Sequence, residues 1–414
     1  MGSEDKNIKN KETGYRKKTS KPVIIFTLVV ILFIFQEILF RIIFPVPEVT
    51  NFNRINYSPV FFSSVSNELK YLSNASFIWA SDPDEHESLM KLNIYGFRGK
   101  NFCAKPESKI PRIVFIGDSF VEGYMVENSQ TIPSIFEKEA RLHRMRVESI
   151  NLGIGGTGFS DYCRLIRDVI PVLKPDHVII VLHANDLPPS PYHPEWFENP
   201  LVPKYSHWWI PRFYYVFKNL IEGKTVPHRW TSKPFTFFAP VPALSNPWSN
   251  DVKAKEYEKF VSPKIATAME KGRFNPFAVD EYSLFKENLP QKFKITEHLN
   301  GLENFAALYN KKIYIVYVPC RNQVSNYYLP YQKEFSSDSV LVPLTDSTYQ
   351  VHAQILKTSC GSLGIPFFDC TNMILSEENA GHHIYWNYDE HMKPEGYSLI
   401  GKAVYSWWRK VENE

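Results

Sequence analysis

Short apolar runs alternate along this chain with longer segments whose apolar residues recur at helical spacing. The runs are rich in β-branched and aromatic residues and predict strands at 112–116, 147–151, 177–182, 312–318 and 366–370. The segments between them predict helices at 130–144, 160–173, about 283–310 and 346–362. A last helix follows Pro394, with an apolar stripe running from Leu399 to Trp408. This order predicts an α/β fold in which a parallel five-stranded sheet carries helices on both faces.

The N-terminal region has a different pattern, a basic arm followed by an apolar segment. Residues 1–21 carry seven lysines and arginines against three acidic residues, and the stretch from Val23 to Phe44 is close to the length that a helix needs to cross a bilayer. Glu37 and Arg41, four residues apart, are expected to pair near its outer end. We predict an uncleaved signal anchor, with a cleaved signal peptide as the alternative.

The anchor defines the predicted organisation and location. Basic residues favour the cytoplasmic side, so the N-terminus is expected inside and the rest of the chain across the membrane, in a periplasmic or other extracytoplasmic compartment. The predicted units are a cytoplasmic arm (1–21), a transmembrane helix (22–44), a juxtamembrane lead-in (45–92) and an α/β domain (93–414) with an insertion at about 187–282.

The composition of the chain limits which classes of protein it can belong to. With 414 residues and 44% hydrophobic content the chain can bury a large core. Its net charge of +3 comes mostly from the basic arm, so nucleic acid is not implied as a partner. Five cysteines are too few for a disulfide scaffold. A bridge between Cys320 and Cys370, which both follow predicted strands, and plain buried thiols are the two interpretations left open.

A segment of about 100 residues, roughly 187–282, separates the third and fourth predicted strands. It is far longer than an ordinary loop and leaves the sheet at the edge where substrates enter such folds. A lid or substrate platform, a separate subdomain with its own core, and contact with the bilayer through 208–210 and 214–217 are the interpretations. Its aromatic residues include Trp196, Trp208, Trp209, Tyr214, Tyr215, Trp230, Phe237 and Phe238.

Two triplets carry candidate chemistry. Gly117-Asp118-Ser119 directly follows the strand predicted at 112–116, and Asp389-Glu390-His391 lies near the other end of the chain. A serine hydroxyl is a weak nucleophile near neutral pH and needs a histidine to accept its proton and an acid to orient that histidine. Ser119, His391 and Asp389 therefore form a candidate catalytic set.

The order of four sequence blocks resembles that of the SGNH (GDSL-type) hydrolases. The blocks here are Gly117-Asp118-Ser119-Phe120, Asn151-Leu152-Gly153-Ile154-Gly155-Gly156, Ala184-Asn185-Asp186 and Asp389-Glu390-His391 with Pro394-Glu395-Gly396. Gly96-Phe97-Arg98-Gly99 is similar to the lead-in of bacterial membrane-anchored or exported members. The resemblance covers about 93–186 and 312–410. It implies a flavodoxin-like three-layer α/β/α sandwich.

The resemblance also implies roles for the residues. Ser119 would be the nucleophile, His391 the base and Asp389 its orienting acid. The backbone N–H groups of Ser119 and Gly156 and the side-chain amide of Asn185 would form the oxyanion hole. An acyl-enzyme would then pass its acyl group to water or to an acceptor hydroxyl.

Two departures from the family pattern bear on this assignment. His183 stands where the family often has glycine, and it would either alter the pocket or pack behind it. The acid lies two residues before the histidine rather than three, a spacing that also occurs in polysaccharide-acetylating relatives.

The expected function is a serine ester hydrolase acting on short acyl groups, such as acetyl, of envelope glycans, or on lipid esters. An O-acetyltransferase for cell-surface polysaccharide and a catalytically silent, membrane-tethered glycan-binding module are the alternatives. A metal site formed by His382, His383, Asp389 and His391 is a weaker one, because adjacent histidines point apart on a regular element. No cofactor and no metal are expected.

Overall fold

The computed structural model describes residues 21–43, 76–81, 86–93, 97–102, 109–187, 211–221, 252–271, 273–276, 278–286 and 295–413. The strands are β1 (Ser76–Ser81), β2 (His86–Lys91), β3 (Arg112–Ile116), β4 (Glu148–Asn151), β5 (His177–His183), β6 (Lys312–Val318) and β7 (Phe367–Asp369). The helices up to the insertion's end are α1 (Lys21–Ile43), α2 (Ser119–Glu122), α3 (Ile132–Leu142), α4 (Phe159–Leu173), α5 (Arg212–Ile221), α6 (Val252–Tyr257), α7 (Pro263–Glu270) and α8 (Ala278–Lys286). Those that follow are α9 (Ile295–Leu308), α10 (Arg321–Val324), α11 (Leu329–Gln332), α12 (Val351–Leu363), α13 (Thr371–Asn379) and α14 (Pro394–Asn413).

The five predicted strands form one parallel sheet in the order β4-β3-β5-β6-β7. Along the chain β4 follows β3 but lies at the edge of the sheet, whereas β5 lies on the other side of β3. The strand order therefore reverses between β3 and β5. In open α/β sheets ligands bind at such a switch point, outside the carboxyl ends of the strands. The predicted fold class is confirmed, and it places the ends of β3 and β5 at the expected ligand crevice.

The three inner strands, β3, β5 and β6, are buried on both faces because successive residues along each of them are mostly apolar. In β6, Ile313, Ile315 and Tyr317 pack with helices α4, α9 and α12 on one face. Tyr314, Val316 and Val318 pack on the other face with α3, α13 and α14. The apolar stripe predicted for the last helix lies in this second layer, where Ile400, Val404 and Trp408 are buried.

Several elements differ from the sequence-based prediction. The helix predicted at about 283–310 is two helices, α8 and α9. The antiparallel hairpin of β1 and β2, and helix α13, were not predicted. The β2 sequence His-Glu-Ser-Leu-Met-Lys groups its polar residues rather than alternating them, so it has no period-two signal.

Helix α1 is, within the part of the chain that the structure describes, the one helix long and apolar enough to cross a membrane. Its side chains are largely exposed, and the Nε atom of Arg41 lies 2.6 Å from Oε1 of Glu37, so the predicted pair is confirmed.

The sequence left open a disulfide bridge between two cysteines that follow strands. Cys320 and Cys370 are both free and buried, so the bridge considered between them is not formed.

The structure describes part of the insertion, namely helices α5, α6 and α7 and the beginning of α8, within which the insertion ends at about residue 282. Six of the aromatic residues named above lie outside the described residues: Trp196, Trp208, Trp209, Trp230, Phe237 and Phe238.

Candidate active site

Ser119 begins helix α2 immediately beyond the end of β3. The turn requires glycine at 117, because a Cβ there would lie 2.5 Å from Cγ2 of Val121 and 2.7 Å from the carbonyl oxygen of Val181. Asp118 caps the short helix, since its Oδ1 accepts a hydrogen bond of 2.9 Å from the Phe120 N–H. The Gly-Asp-Ser triplet thus turns the chain sharply at the switch point and fixes the serine there.

Ser119, His391 and Asp389 are hydrogen-bonded in a line. His391 Nε2 lies 2.6 Å from Ser119 Oγ, and His391 Nδ1 is hydrogen-bonded to Asp389 Oδ1. The same Oδ1 accepts the backbone N–H of His391 at 2.8 Å, which fixes the acid and the base to each other. All three side chains are buried. The geometry allows His391 to take the Ser119 proton while Asp389 holds the opposite ring nitrogen.

The charges around the triad act on the proton affinity of its histidine. Burial alone would lower the pKa of His391, but the Asp389 carboxylate and its hydrogen bond, together with Glu281 and Asp118, raise it to about 9. Burial also acts to raise the pKa of Asp389, and His391 overcomes this and lowers it. Glu281, on insertion helix α8, has a pKa raised to about 7, first by burial and then by the charge of Asp389. The surrounding carboxylates therefore favour the protonated form of His391 in the free site.

The loop from Asn151 to Gly156 is fastened to the helix that carries Ser119. Asn151 Nδ2 donates to the carbonyl of Val121 at 2.8 Å, and its Oδ1 accepts the Gly153 N–H at 2.9 Å. A Cβ at Gly153 would lie 2.0 Å from the backbone nitrogen of Glu122, so the two segments are in direct backbone contact. The Glu122 carboxylate accepts the Gly155 N–H at 2.7 Å.

Glycines at the end of this loop pass beside the serine. A Cβ at Gly155 would lie 3.6 Å from Cβ of Ser119. Gly156 has a φ of +73° and a Cβ there would meet no atom within 4 Å. The left-handed backbone favours glycine, and the open space beside it is available to a substrate.

Asn185 lies in a single turn of 3₁₀ helix directly after β5, the strand adjacent to β3. Its side chain is exposed, and its Oδ1 is 3.0 Å from Nδ1 of His183. Asp186 fixes the turn from behind, because it accepts the His183 N–H and the Tyr162 hydroxyl, each at 2.7 Å. With the oxygen of Asn185 held by His183, the amide nitrogen is the end left for a substrate oxygen.

His183 is fully buried and packs behind the site. Phe120 lies between the two imidazoles, with its ring centroid 4.1 Å from His183 and 5.1 Å from His391 and both pairs stacked. Burial lowers the pKa of His183 to about 3, so the ring is neutral. Of the two readings of this departure, the structure favours packing behind the pocket, with the added contact to Asn185.

An arginine that the sequence analysis missed holds the loop preceding His391. Arg321 follows β6 and is buried, and its Nη1 donates to the carbonyls of Trp386, Asn387 and Asp389 at 2.8, 2.7 and 3.1 Å. Glu390 accepts the Arg321 backbone N–H at 2.6 Å and lies 3.2 Å from its Nε. Burial raises the pKa of Glu390 to about 8 against the opposing charge of Arg321. The only sequence signal was a charged residue directly after a long apolar run.

The lead-in motif also has a place in the site. The buried Arg98 guanidinium donates to the carbonyls of Gly123 and Val126, and its Nε donates to Asn128 Oδ1 at 2.9 Å. It therefore holds the loop that follows the Ser119 helix.

The histidines considered as metal ligands pair with separate carboxylates. His382 Nδ1 lies 2.8 Å from Glu377 Oε2, and His383 Nδ1 lies 2.8 Å from Glu378 Oε2. Across the described residues, no group of three or more His, Cys, Asp or Glu side chains is arranged to hold a metal ion.

No family model matches the chain, and no curated protein matches it. Among solved structures, a lipase/acylhydrolase from Enterococcus faecalis is similar at 13% identity and a TM-score of 0.36, over 72% of this chain and 97% of that one. The psychrotrophic esterase EstA from Pseudoalteromonas sp. is similar at 12% identity and a TM-score of 0.34, over 73% and 99%. An acetyl xylan esterase is similar at 11% identity and a TM-score of 0.35, over 72% and 98%. The function proposed below accordingly rests on the geometry of this chain's own residues.

Proposed function

We propose that this protein is a membrane-anchored serine ester hydrolase of the SGNH type that works through an acyl-enzyme on Ser119. The observation that carries the proposal is the hydrogen-bonded line from Ser119 Oγ through His391 to Asp389 at the switch point of the sheet. The loop that ends at Gly156, which has a left-handed backbone and free space beside it, passes the serine. The exposed side-chain amide of Asn185 directly follows β5, the strand next to β3.

Each step of the reaction has a residue to perform it. His391 Nε2 accepts the hydroxyl proton as Ser119 Oγ bonds to the ester carbonyl carbon, and the carbonyl oxygen becomes negatively charged. The N–H groups of Ser119 and Gly156 and the Asn185 amide stabilise that oxygen. The bond to the alcohol then breaks, His391 returns the proton to the departing oxygen, and the acyl group remains on Ser119. Water then attacks the acyl carbon while His391 takes its proton, the bond between the acyl carbon and Ser119 Oγ breaks, and His391 returns the proton to Oγ, which releases the carboxylic acid and free Ser119.

We assign the substrate class as short acyl esters, such as acetyl, on envelope glycans, with lipid esters second. Helix α1 supports a tethered enzyme, because its apolar side chains are exposed along its length and a basic arm precedes it. With the N-terminus in the cytoplasm, the catalytic residues would face envelope material on the other side of the membrane.

The catalytic assignment is tested with the full-length chain purified in detergent. We expect hydrolysis of p-nitrophenyl acetate, and a single fluorophosphonate adduct at Ser119 detected by mass spectrometry. Ser119→Ala should lose both. Ser406→Ala, which changes an exposed serine on α14, is the matched control and should keep both. Equal rates for Ser119→Ala and the unchanged chain would contradict the proposal.

Substrate and acyl transfer are separated by a second measurement. Incubation with cell-envelope extract followed by mass spectrometry of the Ser119 peptide gives the mass of the trapped acyl group. Release of that group as free acid indicates hydrolysis, whereas its appearance on an added glycan indicates transfer. An adduct with the mass of a long-chain acyl group would reverse the ranking of glycan and lipid esters.

The orientation is tested with reporters fused to the C-terminus. Alkaline phosphatase, which is active only outside the cytoplasm, should give a signal, and green fluorescent protein, which folds in the cytoplasm, should not. The opposite pattern would reverse the proposed topology.

A further inference from the structure

Helix α5 of the insertion packs against the apolar helix α1. The ring of Phe213 lies 5.3 Å from that of Phe33 in an edge-on contact, and the ring of Phe217 is stacked on Phe40 at 6.1 Å. The Glu37 carboxylate accepts the backbone N–H of Arg212 at 2.6 and 2.7 Å from its two oxygens. The insertion, 175 residues away along the chain at Arg212, is thus joined to the N-terminal helix by side chains from both partners.

The contact accounts for an acidic residue inside an apolar helix. A carboxylate in a hydrocarbon environment requires compensation, and such residues in spans usually have a dedicated partner. Glu37 has two: Arg41 at 2.6 Å and the first N–H groups of a ten-residue helix, whose N-terminus carries partial positive charge. Glu37 therefore fastens α5 to the span at a defined depth.

The depth follows from the helical rise. At 1.5 Å per residue, Glu37 lies about 9 Å and Phe33 about 15 Å from the end of α1 at Ile43. Arg212 and Phe213 contact that deeper part, whereas Phe217 contacts Phe40, nearer the end. Helix α5 therefore runs beside the last three turns of α1, in the same sense along the chain.

Three apolar side chains of α5 form an exposed face turned away from the protein. Tyr214, Phe217 and Ile221 are 50%, 41% and 80% exposed, whereas Val216 is 2% exposed. This face is continuous with the exposed apolar surface of α1, because Phe217 belongs to both the exposed face and the contact with Phe40. A solvated surface of this kind would be unfavourable, whereas a helix beside a span has hydrocarbon as its neighbour.

We infer that α5 is inserted in the outer leaflet alongside α1, with Tyr214, Phe217 and Ile221 in contact with lipid. The inference rests on the proposed anchoring by α1. The occupant of the face is the bilayer, because the helix to which α5 is fastened spans it and the two apolar surfaces are continuous. The insertion would then be held at the membrane surface independently of the juxtamembrane segment.

The test uses the full-length chain in nanodiscs of dioleoyl phosphatidylcholine. Single cysteines at Phe217 and Ile221 are labelled with a nitroxide, and the collision rates with oxygen, which concentrates in lipid, and with a water-soluble nickel chelate are compared. Leu32→Cys, on an exposed position of α1, reports on the span itself. Leu142→Cys and Leu308→Cys, at exposed apolar positions 67% and 80% accessible on the catalytic domain, are the matched controls. The unsubstituted chain gives the background, since the four described cysteines are all buried.

We expect labels at 217, 221 and 32 to favour oxygen several-fold over labels at 142 and 308. If the label at 32 favours oxygen and those at 217 and 221 match the two controls, the inference about α5 is wrong and the anchor stands. If the label at 32 also matches the controls, the anchor fails as well. Protection of 217 and 221 from both reagents, with cross-linking between chains, would assign the face to a second copy and overturn the lipid assignment.

A second variant tests the fastening. Glu37→Gln removes the charge and keeps the size of the side chain, and we expect the label at 217 to become more accessible to the nickel chelate while the label at 32 is unchanged. Glu37→Asp, which retains a carboxylate, should show a smaller change. No change at 217 in Glu37→Gln would show that Glu37 does not hold the helix.

Discussion

His391 Nε2 lies 2.6 Å from Ser119 Oγ, although 272 residues separate the two along the chain. The contact exists because β3 is an inner strand that ends at the switch point of the sheet, and the loop carrying His391, held by Arg321, returns over the same edge.

The pH dependence of catalysis should reflect the raised pKa of His391. The base must be neutral to accept the Ser119 proton, and Asp389 raises its pKa to about 9 against the effect of burial. We therefore expect kcat/KM to be low at neutral pH and to rise as pH approaches 9, since kcat/KM reports the free enzyme. A kcat/KM that is already constant between pH 6 and pH 9 would contradict this electrostatic picture.

Asp389→Asn should separate orientation from charge. Loss of the carboxylate removes the main cause that raises the pKa of His391, so the rising limb should move to lower pH. Loss of the correct tautomer should reduce kcat by roughly 10³- to 10⁴-fold. Both effects are read from pH–rate profiles of the variant and the unchanged chain. A lower kcat with the rising limb of the pH–rate profile at the same pH would show that Asp389 orients the His391 ring without raising its pKa.

Asn185→Ala should reduce kcat by about 10²- to 10³-fold and change KM little, because an oxyanion donor acts mainly in the transition state. The side chain is exposed, so the thermal midpoint should stay within a few degrees of that of the unchanged chain. His183→Phe, which keeps an aromatic ring against Phe120 but cannot hold Asn185, should show a smaller loss of kcat in the same direction. An unchanged kcat in Asn185→Ala would remove this residue from the oxyanion hole.

Arg321→Met should destabilise the fold and the catalytic loop together. The substitution removes donors to three carbonyls and the guanidinium beside Glu390, and breaking a buried pair typically costs about 3–5 kcal/mol when the remaining partner is charged. Chemical denaturation measures the free energy of unfolding. Adding Glu390→Gln should recover part of it at pH values above the raised pKa of Glu390, because below that pKa the carboxyl is already neutral. A double variant no more stable than Arg321→Met would show that the carbonyl contacts alone account for the loss.

Three glycine-to-alanine substitutions should have different outcomes. Gly153→Ala would bring a Cβ within 2.0 Å of the Glu122 nitrogen and should prevent folding of the loop. Gly156→Ala meets no atom but has a φ of +73°, so it should cost about 1 kcal/mol in stability and disturb the N–H at the site. Gly361→Ala, inside α12 with free space, should be neutral or stabilising by up to about 1 kcal/mol. Thermal melts and esterase assays of the three variants check this order.

The elements and site residues that could be predicted from the sequence are those whose pattern lies within a few neighbouring residues. All five strands of the parallel sheet were found within one or two residues, and the three inner strands have the clearest signal because they are buried and rich in β-branched residues. The candidate residues Ser119, Asn185 and His391 were found because each stands at the end of a strand or the start of a helix in a motif of known chemistry. Arg321 and the contact of Glu37 with α5 were not found, because a single charged residue has the same local signal whether it is exposed, paired or buried.

The sequence by itself determined the order of the elements, the apolar helix at the N-terminus and the residue types that a serine hydrolase requires. These properties depend on periodicity and side-chain chemistry within a few residues. Only the tertiary structure decided that β3 lies between β4 and β5, that His183 packs behind Phe120 rather than in the pocket, and that Arg321 holds the loop before His391. These relationships join residues far apart in the chain, and they arise from the packing of the sheet and its layers, which local patterns do not specify.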